Sequence, residues 1–307
     1  MQETAYPADH LKALEAMASC RLIAPGAQEV VILPQHCWLP PLRKKPMHQE
    51  VGTKLRRLWL RVLLLAPYFM LVISCIQISV ALVGSVHGDA QRWMQEALVF
   101  DPQRRQEVWR FLSYVLLHQG AAHAALNIVI QLVLAVPLER EQKWLRTAFV
   151  YFGGGLAGSL STSVLAPELF LVGASAGVYA LLTSQLANII LNFPTLKYRL
   201  ARAFAVCVLC LADVAFSLYH HFLLNNTCPR VGWAAHTGGA VVGLLVGLLV
   251  FTEPDTPLGQ PATLPLGAAA PKAADRKALT AAIRCGAAAS LAVLLTAAVA
   301  VNLWRPN

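Results

Sequence analysis

The sequence predicts an all-α polytopic membrane protein, a helix bundle of seven spans, and three observations carry that reading. Of 307 residues, 57% are hydrophobic and only 13% charged, whereas soluble domains carry about a quarter charged residues. Mean hydropathy is positive. Seven separate apolar stretches reach the ~20 residues that a helix needs to cross a hydrocarbon core of about 30 Å. They lie at approximately 58–83, 112–137, 147–166, 173–193, 201–222, 231–252 and 280–303.

Each element follows in order. Residues 1–57 form a cytosolic amino-terminal segment without a signal-type apolar core, so nothing is cleaved and translocation begins at the first span. The basic run "RKKPMHQEVGTKLRR" ahead of that span holds the amino terminus in the cytosol. Threading onward puts "EREQKWLR", "KYRLAR" and "KAADRK" on the same side, so every inside loop is basic. The outside loops are then 84–111, 167–172 and 223–230. The first contains "MQEALVFDPQRRQEVWRFLSY" and reads as an amphipathic helix lying at the interface. Six spans make a core over 58–252; residues 253–279, rich in Pro, Gly and Ala, are a cytosolic linker, and 280–307 carries the seventh helix.

The net charge of +9 is spread over span ends, without a basic stripe interleaved with aromatics, so it orients helices and excludes nucleic acid as partner. Seven cysteines give no disulfide framework. Cys207 and Cys210 form a C-x-x-C, but "AVCVLCLAD" is membrane-helix sequence and they read as buried small apolar residues. His220 and His221 lack a third ligand nearby; no metal or organic cofactor is implied. "NNT" at 225–227 is a glycosylation sequon in an outside loop.

Polar side chains inside a membrane are costly and are functional candidates by default. Ser175, His236, His123 and Asn127 stand early in three spans that run outside to inside, and so share one depth below the outer surface. A serine hydroxyl is a poor nucleophile until a nearby imidazole takes its proton, and no carboxylate lies at that level, so the arrangement is a Ser–His dyad. Tyr179, at i+4 from Ser175, can pack against His236 in place of an acid. His123 and Asn127 share a face and, with the Ser175 amide, can donate to an oxyanion. Ala235, Gly239, Gly243 and Gly247 recur every fourth residue and give a flat stripe for close helix approach. Asp213, deep in a span, supports a transporter reading weakly, since neither a basic partner nor an inverted repeat accompanies it.

These residues resemble the rhomboid intramembrane serine proteases. "GASAG" (173–177) looks like their G-x-S-x nucleophile motif, "HQGAAHAALN" (118–127) like their H-x4-H-x3-N element, and "HTGGAVVG" (236–243) like their H-x2-G-x3-G. "WRFLSYVLLH" (109–118) is similar to the tryptophan–arginine motif of their first outer loop, where Arg110 would be structural. The resemblance covers roughly 58–252 and implies a rhomboid-like six-helix core; the added seventh helix is like the animal secretase-type members. It further implies Ser175 as nucleophile, His236 as general base and acid, and His123 and Asn127 in the oxyanion hole, with Gly173 heading the nucleophile motif. The implied substrates are single-span membrane proteins, growth-factor precursors of the epidermal growth factor type among them, cut within or beside the transmembrane helix on the secretory route (Golgi, endosome or plasma membrane). The competing reading is a non-catalytic membrane scaffold that binds and routes clients.

Overall fold

The computed structural model describes residues 67–193, 196, 198–222, 232–252 and 273–304. The amino-terminal segment 1–57, the outer loop 223–230 with its sequon, and residues 253–272 of the linker lie outside the described residues, as do the side chains of Asp213, His220 and His221. Described secondary structure is helical, with one isolated antiparallel bridge between Phe100 and Leu171.

In chain order the helices are α1 (Tyr68–Val86), α2 (Gly88–Leu98), the one-turn α3 (Arg110–Ser113), α4 (Ala121–Gln142), α5 (Trp144–Leu165), α6 (Ser175–Asn192), α7 (Arg199–Phe222), α8 (Trp233–Val250) and α9 (Ala273–Trp304). Helices α1, α4, α5, α8 and residues Asp275–Trp304 of α9 are long and apolar enough to cross a membrane. Helix α6 is just as long but carries Thr183, Ser184, Gln185, Asn188 and Asn192, all buried. It is the most enclosed of the long helices, packed against α5 and α8 with α4 and α7 beside it.

Several boundaries move from where hydropathy put them. The second span starts at Ala121 rather than 112, because the apolar run 111–117 folds as α3 and a 3-10 turn over Tyr114–Leu116, with Phe111, Tyr114, Val115 and Leu117 buried against the bundle. Residues 58–66 of the expected first span lie outside the described residues, and its described helix runs from Tyr68 to Val86. The seventh helix begins at Ala273, seven residues before the expected 280. Against expectation Cys207 is exposed, while Cys210 is partly buried against the core.

Polar contacts fix the inner arrangement. Glu139 of α4 accepts hydrogen bonds from the amides of Phe69 (2.9 Å) and Met70 (3.2 Å), so a carboxylate from another helix satisfies the free N–H groups at the start of α1. Deeper in the bundle, the Gln77 amide donates to the Val115 carbonyl (3.0 Å) and the Tyr151 hydroxyl (2.9 Å), while Gln131 donates to Gln77 (2.7 Å) and Ser74 (2.9 Å). Buried polar groups in lipid need such partners.

Candidate active site

Ser175 is the first residue of α6, so its turn presents backbone N–H groups with no intrahelical acceptor and the positive end of the helix dipole. What delivers the chain to that point is Gly173, whose φ of 115° is open to glycine and strained for other residues. Space forbids a side chain as well, since a Cβ there would stand 2.8 Å from Cε1 of His123. The approach to α6 is tied to the first outer loop. Phe100 and Leu171 exchange backbone hydrogen bonds of 3.2 and 3.1 Å, and the Gly173 amide donates to the Tyr114 carbonyl at 3.1 Å. Arg110 braces that loop, its guanidinium donating to the carbonyls of Val99 (2.9 Å) and Glu96 (2.6 Å) and pairing with Glu107 (2.6 Å).

His236 lies in the first turn of α8, with Nε2 3.0 Å from the Ser175 hydroxyl oxygen. When that nitrogen accepts the serine proton, the ring proton of the neutral imidazole resides on Nδ1. The Tyr179 ring stacks on the imidazole, centroids 4.3 Å apart and planes 18° from parallel. Among the described residues that line the site there is no carboxylate.

The two helices can approach because α8 turns glycine toward α6. A Cβ at Gly239 would sit 2.2 Å from the Ala176 carbonyl oxygen, and one at Gly243 would sit 2.3 Å from the Ala180 Cα. Helix backbones in contact at this range need a small residue. Thr183 of α6 adds a tether, its hydroxyl donating to the Ala240 carbonyl at 2.7 Å.

His123 and Asn127 line the same cavity, of about 430 Å³, with Ser175, Tyr179 and His236. The His123 Nδ1 accepts a long 3.4 Å bond from the Gln119 amide, which leaves the proton on Nε2, the nitrogen turned toward Gly173. Asn127 points less usefully, its amide nitrogen donating to the His123 carbonyl in its own helix (3.0 Å). Ser175, Tyr179, His236, His123 and Asn127 thus line one cavity, with Gly173 against His123. His118, the first residue of the H-x4-H-x3-N element, stands five residues before His123. Its ring packs edge-on against His123 with centroids 5.5 Å apart, and burial, then the neighbouring imidazole, pushes its pKa down to about 4. Chemically the arrangement offers a nucleophile, a base in contact with it, and donors beside it in a largely apolar enclosure.

Comparison with known proteins adds the family. Residues 105–253 match the Rhomboid domain. The chain is 35% identical over 195 residues to Rhomboid-related protein 2 of Mus musculus, covering 61% of this chain and 65% of that protein. It is 36% identical over 197 residues to Rhomboid-related protein 3 of Homo sapiens, covering 60% and 48%. It is also 30% identical over 191 residues to Inactive rhomboid-related protein 2 of Caenorhabditis elegans, covering 60% and 54%. The chain therefore spans about half to two thirds of the length of these relatives, and likeness alone does not separate active members from inactive ones. With its helical fold and its motif-bearing helices, residues 105–253 of this chain belong to the rhomboid family.

Proposed function

We propose that the protein is an intramembrane serine endopeptidase that cleaves single-span membrane proteins, growth-factor precursors among them, within or beside the transmembrane helix. The observation that supports this is the 3.0 Å contact between Ser175 and His236, held by glycine packing and capped by the Tyr179 ring. In this reading Ser175 Oγ attacks the scissile carbonyl carbon while its proton passes to His236 Nε2. The oxyanion is met by the Ser175 amide and the His123 Nε2–H, with Asn127 turning toward it. The C–N bond breaks as His236 returns the proton to the leaving amine, and water then hydrolyses the acyl ester by the same exchange. The protein works on the secretory route with its amino terminus cytosolic.

The inactive relative keeps the scaffold reading in view, and one experiment separates the two. Wild type and Ser175→Ala are co-expressed with single-span reporters, and cleavage and fluorophosphonate labelling are followed. Both are expected in wild type and neither in Ser175→Ala, at equal expression and thermal midpoint; cutting by the variant would refute the assignment. His236→Ala should behave likewise.

A further inference from the structure

Helix α9 looks at first like an appendage. Of its described side chains only that of Ala287 is buried, and it packs against α8 and α5 alone among the strongly contacting helices. Lipid is as apolar as an alanine face, so apolar contact gives such a helix little reason to stay docked, and polar contacts between helices matter more. Two exist. The Arg284 guanidinium donates to the Phe251 carbonyl at 2.8 Å, at the inner end of α8. At the other end, the buried Ser163 hydroxyl in the last turn of α5 donates to Asn302 Oδ1. The eighteen helical rises from Arg284 to Asn302 span about 27 Å, close to a hydrocarbon core.

The outer anchor holds a segment that the site depends on. Helix α5 packs against both the helix of Ser175 and that of His236. On one side a Cβ at Gly154 would stand 2.2 Å from the Ala180 Cβ, and one at Gly158 would stand 2.5 Å from the Ala176 Cβ, next to Ser175. On the other, a Cβ at Gly238, two residues beyond His236, would stand 2.7 Å from the Ala157 carbonyl and 2.1 Å from the Ser161 hydroxyl. Contacts this tight transmit a small shift of α5 directly to both partners.

We propose that Asn302, through Ser163, is a positioning residue: it holds the outer end of α5 against the first turn of α8 and so keeps His236 in register with Ser175. The seventh helix is then a brace of the site. The inference rests on the Ser–His reading above.

The test uses the full chain in detergent or liposomes, with Asn302→Leu, Ser163→Ala and the double variant. The limiting rate of Ser175 labelling by a fluorophosphonate, its pH profile and the thermal midpoint are measured on each. Both single variants should lower the limiting rate several-fold and shift the pH profile of labelling, the double variant should be no slower than the worse single, and probe affinity should hardly change. Asn302→Asp, which keeps the acceptor oxygen, should recover most of the rate. A wild-type limiting rate in Asn302→Leu, or losses that multiply in the double variant, would overturn the brace. An unlabelled wild type would sink the hydrolase reading itself. Oxidative cross-linking of paired cysteines at 163 and 302, against each single cysteine, checks the apposition without any activity, and no cross-link would overturn it.

Discussion

Adding one methyl group at Gly239 tests how far the site depends on close contact between α6 and α8. A Cβ at this position lies 2.2 Å from the carbonyl oxygen of Ala176, the residue after Ser175. The obstacle is backbone, so no rotamer relieves it. Restoring an ordinary contact of about 3.4 Å requires the helices to part by roughly 1.2 Å. Ser175 and His236 sit beside this contact at 3.0 Å, and such a displacement carries them to about 4 Å, beyond hydrogen-bond range. A misplacement of about 1 Å can cost ~100-fold in rate, while overpacking costs about 1–3 kcal/mol in stability. Gly239→Ala should therefore lower fluorophosphonate labelling of Ser175 by roughly two orders of magnitude, measured on the fraction still folded at a temperature well under the midpoint. Gly286→Ala is the control, because a Cβ there meets nothing within 4 Å, and it should label at the wild-type rate. Wild-type labelling in Gly239→Ala, at an unchanged midpoint, would show that the glycine stripe does not set the Ser–His distance.

Two further outcomes follow from the outer loop. Arg110→Lys loses the fork that reaches Glu96, Val99 and Glu107 together; the loop that pins Leu171 and Gly173 loosens, and proteolysis within 100–110 should rise while labelling falls a few-fold, an unchanged digestion pattern counting against the brace. The second concerns acid. His118 has its folded pKa lowered to about 4 from about 6.5 in the unfolded chain, so between those values the unfolded chain binds more protons. Its contribution to stability is complete above about pH 6.5 and is lost as pH falls toward 4. The thermal midpoint of wild type should drop across that window, and His118→Phe should flatten the drop; identical slopes would remove His118 from the account.

The candidate site was legible because it violates its surroundings. A serine, two histidines and an asparagine in apolar spans stand out by transfer cost, and alternating span direction puts them at one depth without knowledge of side-chain contacts. The outer loop was less legible for the opposite reason. "FLSYVLL" at 111–117 has the composition of a span, yet Phe111, Tyr114 and Val115 are buried against protein, and hydropathy does not distinguish a lipid neighbour from a protein one. His118 opens the H-x4-H-x3-N element, but its edge-on packing against His123 is visible only in the fold. The hydrogen-bond role of Asn127 was invisible too, since only coordinates tell whether an amide turns outward or back to its own helix.

The inner half of α6 carries the complementary lesson. Gln142 donates to Asn188 (2.9 Å), Asn192 donates to the same oxygen (2.8 Å), and Asn188 donates to Glu141 (2.8 Å), which Arg202 of α7 clasps through two nitrogens at 2.8 and 2.6 Å. Thr252, at the end of α8, accepts from both Gln142 and Asn192. These bonds join α4, α6, α7 and α8 at the end of the bundle away from Ser175. Their bearing on the site is rotational. An apolar helix among apolar neighbours can turn about its axis at little cost, and a side-chain oxygen roughly 4 Å from that axis moves about 1.4 Å in a 20° turn. Polar anchors bonded to neighbouring helices oppose the turn. The residues that lower the hydropathy of α6 below its neighbours therefore fix the direction in which Ser175 points.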